Sequence, residues 1–215
     1  MMTVNVMNGF YKFSDCLLKL SVTNILWILF SLMGIVIFGF FPATIAMFTV
    51  VRKIMLKEDV AVLRTFWKVY KTEFWKSNLL GLILVIIGYI FYIDLNYLKH
   101  STNVIQFLYA PLLIMNFIYG LSLLYIFPVY AEYKLRIPML IKNAFLLMVL
   151  YPIFTISMIL FCIIFYHIMI IVPSLIIFFS GSVTSYILMK FANLAFQKNS
   201  QKLNQNIAKE ISDIK

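Results

Sequence analysis

Four long stretches of this chain contain no charged residue, and they limit the possible folds more than any other feature. The stretches are 20–51, 77–93, 101–131 and 143–189. A helix that crosses about 30 Å of hydrocarbon needs about 20 predominantly apolar residues, and three of the stretches exceed that length. Their apolar residues are continuous rather than alternating, so the pattern predicts spanning helices and not barrel strands.

The composition agrees with membrane embedding. Of the 215 residues, 63% are hydrophobic and 12% are charged, whereas a soluble domain has about 45–50% apolar and about 25% charged residues. A chain of this size cannot hide so much apolar surface in its own core. The composition therefore excludes a soluble enzyme and a soluble nucleic-acid-binding domain, and it predicts a multi-pass membrane protein.

The longest stretch holds enough residues for two helices, and we place the turn between them at His167, with Pro173 in the first turns of the following helix. We therefore predict an all-α, polytopic transmembrane helix bundle with about five spans. One membrane-embedded domain is expected over 1–189, followed by a short cytoplasmic tail at 190–215. The predicted spans are 21–43, 78–97, 105–128, 144–165 and 169–189.

The segment 43–56 leaves a second topology open. Five spans put fifteen Lys and Arg residues on one side and three on the other. The positive-inside rule then predicts a cytoplasmic C-terminus and an N-terminus outside. Alternatively, Gly39 and Pro42 divide the first stretch into a span and a shorter returning or re-entrant segment. That arrangement moves the N-terminus inside and places seventeen Lys and Arg residues on one side of the membrane and one on the other.

The charged loop 52–76 predicts an amphipathic helix between spans one and two, capped by Asp59 and beginning at Val60. Its cations would face anionic headgroups of the cytoplasmic leaflet, or its surface would bind a partner protein. A basic patch beside a membrane does not require nucleic acid, so we expect no nucleic-acid partner. The apolar and aromatic stripe is Leu63, Trp67, Tyr70 and Phe74, and the basic stripe is Arg64, Lys68 and Lys71.

Few polar side chains fall inside the predicted spans. Asp94 lies near the outer end of span two and Asn116 lies in the middle of span three, so these two residues form the candidate polar path. Glu132, just inside the end of span three, is expected to pair locally with Lys134 or Arg136. The small residues of 180–185 predict close helix packing.

Motifs for catalysis are missing from the sequence. It has no Walker sequence and no HExxH, CxxC or GxSxG pattern, and its eight acidic residues are scattered among the loops. His100 and His167 have no neighbours at ligand spacing. We therefore predict a protein that is not an enzyme, with no catalytic residues, no metal site and no cofactor.

Three segments resemble the YesL-like family of bacterial membrane proteins: 9–53, the segment TFWKVYKTEFWKSNLLGLIL at 65–84, and YIFYID at 89–94. The matching features include GFFPAT at 39–44, the Val-Arg-Lys exit at 51–53 and the Ser-Asn pair at 77–78. The family is a domain of unknown function, and its members are found beside carbohydrate-uptake systems. The resemblance implies a non-enzymatic accessory of an ATP-binding-cassette transporter, with permease or ATPase subunits as partners. An autonomous small-solute transporter or channel is the alternative.

Overall fold

A computed structural model describes residues 2–99 and 107–213, and these residues form eight α-helices. The predicted all-α bundle is confirmed. The helices are α1 (Met2–Met33), α2 (Ile37–Met55), α3 (Val62–Thr72), α4 (Phe74–Lys99), α5 (Tyr109–Glu132), α6 (Ile137–Leu150), α7 (Pro152–Ile171) and α8 (Ser174–Asp213).

Six helices of the described ranges are long and apolar enough to cross a membrane: Tyr11–Met33 within α1, then α2, α4, α5 and α7, and Ser174–Lys202 within α8. Large apolar side chains are exposed along α4, α5 and α7. Lipid solvates such apolar surfaces, whereas exposure of the same surfaces to water would favour aggregation. The chain is therefore a multi-pass membrane protein, with six candidate spans rather than the five predicted.

The first predicted span, 21–43, is wrong because the chain reverses at residues 34–36. Helix α1 ends before Gly34, and α2 returns through Pro42 without a break there. The turn is tight because Gly34 lies against the backbone of Gly39, where a Cβ atom would collide. Ile35 and Val36 take φ values of 55° and 60°, a left-handed conformation that β-branched residues rarely adopt. The returning segment that the second topology required is thus a full helix.

The predicted span 144–165 also differs from the observed helices, because a proline separates two helices within it. Helix α6 ends at Leu150, and Pro152 occupies the first turn of α7, where its missing N–H costs no hydrogen bond. The predicted turn at His167 is wrong, because α7 continues through it to Ile171. The next helix starts directly after Pro173, and α8 then runs to Asp213 without a break at the predicted boundary of the tail.

Helix α2 is the centre of the bundle and contacts α1, α3, α4, α5 and α8. Its sequence permits this because small residues on several sides allow neighbouring helices to approach closely. Ala43, Ala46 and Val50 have no exposed surface. Thr44 accepts a hydrogen bond at 3.0 Å from the indole of Trp27 on α1, which ties the two arms of the hairpin together.

Asn24 joins α1 to the backbone of α8 and is fully buried. Its side-chain nitrogen donates to the carbonyl oxygen of Ile177 at 2.7 Å, and its oxygen accepts from the N–H groups of Gly181 and Ser182 at 2.8 and 3.0 Å. These three bonds tie α1 to the backbone of α8 across the interface between the two helices. The small residues of 180–185 therefore meet α1 through hydrogen bonds as well as packing.

Pro42 and Asn78 are connected through one backbone carbonyl group. Proline has no N–H, so Pro42 cannot donate to the carbonyl oxygen of Phe38 four residues earlier. Asn78 of α4 donates to that oxygen at 3.0 Å. The proline of α2 thus creates an acceptor that α4 uses, and the proline-containing turn of α2 is held against α4.

Candidate functional site

One end of the bundle collects basic side chains from several helices, and we call it the basic end. The ion pair of Arg52 with Glu132 joins the last turns of α2 and α5, and the rings of Tyr133 and Phe196 join the end of α5 to α8. Three lysines of this end lie over aromatic rings: Lys76 over Tyr130 at 5.0 Å, Lys198 over Phe154 at 5.0 Å, and Lys202 over Tyr151 at 5.6 Å. Such cation–π contacts suit long cationic side chains at the edge of an apolar bundle.

Helix α3 lies at this end and is anchored by aromatic packing. Phe66 is fully buried and Tyr70 is nearly so, with ring centroids 5.3 and 5.0 Å from that of Phe30 on α1. The Tyr70 hydroxyl donates to the Phe30 carbonyl oxygen at 3.3 Å. Burial raises the pKa of the Tyr70 phenol above its usual value, which moves its ionisation still further above neutral pH.

The predicted aromatic stripe of α3 keeps its ring contacts, with centroids 6.2 Å apart for Trp67 and Tyr70 and 5.7 Å apart for Tyr70 and Phe74, but its members differ in exposure. Leu63 and Trp67 are 61% and 38% exposed, whereas Tyr70 faces the bundle and Phe74 belongs to the first turn of α4. The ammonium group of Lys71 lies 4.2 Å from the centroid of the Trp67 ring. Leu63, Trp67 and Lys71 together form what we call the outer flank of α3. Asp59 does not cap the helix, whose N-cap is Ala61 without a side-chain hydrogen bond.

On its other side α3 borders a groove of about 450 Å³, which we call the basic groove. The groove lies between α2, α3, the first turn of α4 and the segment that follows α5. Five cationic side chains from these four elements line it: Lys53, Arg64, Lys68, Lys76 and Lys134. The sequence stripe of α3 supplied two of these residues, and the fold adds three from distant parts of the chain.

In the part of the chain that the structure describes, Glu73 is the one acidic residue that lines the basic groove. The hydroxyl of Tyr130, at the floor, donates to its carboxylate at 2.6 Å. Lys76 lies over the Tyr130 ring rather than in contact with the carboxylate. Among the described residues, the lining cations form a single ion pair, between Lys53 and Glu58 at 3.9 Å outside the groove. The groove therefore keeps a strongly positive charge.

Arg52 and Glu132 lie beside the groove and neutralise each other. The Nε and Nη2 atoms of Arg52 donate to the two carboxylate oxygens of Glu132 at 2.6 and 3.0 Å. The predicted local pairing of Glu132 with Lys134 or Arg136 is therefore wrong. The reason is that α2 passes the end of α5 and brings the Arg52 guanidinium to Glu132. That group donates two parallel hydrogen bonds to the carboxylate, which is a stronger interaction than a single bond from a lysine nearby in sequence.

Asp94 and Asn116, the predicted polar path, line two separate clefts between α4 and α5. Asp94 is exposed beside Tyr97 in one cleft, and Asn116 is half-buried beside Tyr92 in the other. The structure does not bring their side chains together. Whether either residue acts on a solute stays a prediction.

The remaining titratable residues are dispersed. His167 bonds through Nδ1 to the carbonyl oxygen of Ile163 in its own helix, and His100 lies outside the described residues. Cys16 and Cys162 are free thiols on α1 and α7. Within the ranges that the structure describes, no three His, Cys, Asp or Glu side chains are grouped as metal ligands.

Comparison with known proteins identifies relatives over nearly the whole chain. The chain is 35% identical to the uncharacterized protein YteU of Bacillus subtilis (strain 168), over 88% of this chain and 86% of YteU. It is 32% identical to YesV (95% and 99% covered) and 31% identical to YesL (94% and 96% covered) of the same organism. The family described as "Protein of unknown function, DUF624" matches residues 20–95. No solved structure matches the chain.

Proposed function

Because this chain belongs to the YesL-like family, whose common domain is described as one of unknown function, we propose a role that its surface supports. The protein acts as a non-enzymatic accessory subunit in a membrane complex. The complex is a carbohydrate uptake system of the ATP-binding-cassette type in the bacterial plasma membrane. The outer flank of α3 binds its permease or ATPase subunit.

The outer flank is the observation that carries this proposal. It presents exposed leucine and tryptophan side chains next to a lysine, a combination typical of protein interfaces. The helix beneath it is fixed by the buried rings of Phe66 and Tyr70, so the flank is presented rigidly and binding requires little ordering. A lysine at the flank favours a partner surface that carries acidic residues. The link to carbohydrate uptake comes from the family resemblance.

The basic end is proposed to face the cytoplasm. If all six candidate helices cross, seventeen of the eighteen Lys and Arg residues fall on one side and Lys99 on the other. The positive-inside rule assigns the richer side to the cytoplasm. Both termini then lie inside, and the outer flank of α3 faces the compartment in which the ATPase subunits of such transporters work.

The test is purification of the tagged chain from its host in mild detergent, with quantitative mass spectrometry of the proteins that accompany it. We expect stoichiometric recovery of permease or ATPase subunits. In the Leu63→Ala, Trp67→Ala double variant, that recovery should fall at least about tenfold, because two exposed apolar side chains of an interface centre are lost.

The matched control removes the same two residue types at the same spacing on α4. Trp75 and Leu79 are 84% and 52% exposed, so Trp75→Ala with Leu79→Ala should leave partner recovery unchanged. Both variants are checked for an unchanged elution volume and melting temperature. Recovery of the wild-type chain alone, or equal loss of partners in both double variants, contradicts the proposal.

A further inference from the structure

We infer that the basic groove is a binding site for a phosphate-bearing anion, a role that is independent of the partner proposed above. Taken alone, the cations of α3 predict a general attraction to a charged membrane surface. The structure gathers those cations with three others into a concave site of defined lining.

The electrostatics of the groove favour an anion from outside the chain. Five cations line a space of about 450 Å³, and Glu73 is the acid among them. The single charge of Glu73 balances one of these cations at most, and its carboxylate accepts a hydrogen bond from Tyr130. Like charges held this close repel one another, and a bound anion relieves that repulsion. The nearby Arg52–Glu132 pair is neutral and offers no compensation.

The arrangement of the donors favours a phosphate group over a single carboxylate. Lys53, Arg64, Lys76 and Lys134 approach from four different elements. A carboxylate is planar and is satisfied by one guanidinium fork, whereas a phosphate has several charged oxygens that accept bonds from different directions. Lys68 and Lys134 at the rim are exposed and can follow the ligand, while the floor of Ile45 and Tyr130 is buried and fixed.

The size of the groove agrees with a small phosphorylated group. Its volume lies within the range of about 300–1,000 Å³ that is typical of small-molecule sites. The same chemistry occurs in the headgroup of an anionic phospholipid and in a soluble phosphate compound. Since the groove lies at the end of candidate spanning helices, lipid can reach it from the side and solutes from the aqueous phase.

Native mass spectrometry of the full-length protein in detergent tests this inference. The probes are phosphatidylglycerol, the zwitterionic lipid phosphatidylcholine, and inorganic phosphate as a competitor. We expect preferential retention of phosphatidylglycerol. Lys68→Gln with Lys134→Gln should weaken its binding about tenfold or more, because each lysine near an anionic headgroup contributes measurably to affinity.

The control variant is Lys57→Gln with Lys142→Gln, which removes the same charge from exposed positions outside the groove. It should change binding by less than about twofold. Displacement of the lipid by inorganic phosphate would support the site and assign it to a soluble phosphate compound. Retention that resists inorganic phosphate would support it and assign a lipid. Equal weakening by both variants, or equal retention of the two lipids, would overturn the inference.

Discussion

Arg52 and Glu132, which are 80 residues apart in the sequence, form a bidentate ion pair that joins the last turn of α2 to the last turn of α5. Their side chains are 27% and 23% exposed, so the pair is largely shielded from water. Each charge would be costly to bury without the other. The pair therefore fixes the central helix against α5 beside the basic groove.

Removal of one partner of this pair should destabilise the protein. Arg52→Ala is expected to lower the melting temperature in detergent by about 5–10 °C, which corresponds to roughly 2–4 kcal/mol, because Glu132 is left shielded and unpaired. The double replacement Arg52→Met with Glu132→Met should cost less than either alanine variant. Lys53→Ala is the control, since Lys53 reaches Glu58 at 3.9 Å in an exposed position. A larger effect of the control would refute this account of the pair.

Asn24 should be sensitive to a change of one side-chain atom. Asn24→Asp keeps the size but removes the donor to Ile177 and places a carboxylate in the apolar interior, so we expect a drop of at least about 5 °C in melting temperature. The control is Thr23→Val at the adjacent position. Thr23 is equally buried, but its hydroxyl bonds to Lys19 in its own helix, and little change is expected. Equal effects would show that the bonds to α8 contribute nothing.

Pro42 and Asn78 should behave as a coupled pair. Asn78→Leu leaves the Phe38 carbonyl oxygen without a donor, at a cost of about 1 kcal/mol. Adding Pro42→Ala restores a backbone N–H four residues after Phe38, so the double variant should recover much of the lost stability. The melting temperatures of the wild type, both single variants and the double variant form a complete cycle. Strict additivity would contradict the shared carbonyl.

A glycine at position 36 should stabilise the hairpin turn. Val36 has a φ of 60°, which glycine adopts without steric strain, so Val36→Gly is expected to raise the melting temperature by a few degrees. Ile37→Gly, one residue later and inside α2, should lower it, because glycine is unfavourable within a helix. The two variants differ by one position, and a fall for both would show that the turn carries no strain.

Hydropathy predicted the fold class because the formation of a spanning helix depends on the length and apolar character of each segment alone. The regions of α4 and α5 follow directly from the uncharged stretches at 77–93 and 101–131. The sequence leaves the hairpin open as the second topology, with the division placed at Gly39 and Pro42. Its turn could not be located because it consists of Gly34, Ile35 and Val36, residues as apolar as the spans around them. The tight backbone contact of Gly34 with Gly39 exists only once the two arms are packed.

The candidate site was predictable only where its residues lie within one segment of the chain. Helical spacing within one segment revealed Arg64 and Lys68 on α3. The spacing cannot show that Lys53 and Lys134 line the same groove, because that arrangement depends on how α2 and α5 pack. Asn24 was missed because a single asparagine in an apolar stretch carries no pattern. The signal that could have drawn attention to it is its polarity within a spanning helix.

The assembly of a single basic end depends on which side of the membrane the two ends of the α1–α2 hairpin face, and cysteine labelling measures this. Cys16 and Cys162 are replaced by alanine, and single cysteines are then introduced at Thr3, Lys57 or Val172 and labelled with a membrane-impermeant reagent from each side. We expect that Thr3 and Lys57 are labelled from the cytoplasmic side, and Val172, between α7 and α8, from the opposite side. Labelling of Thr3 and Lys57 from opposite sides would show that α1 and α2 do not form a complete hairpin in the membrane, and would contradict the assembly of a single basic end.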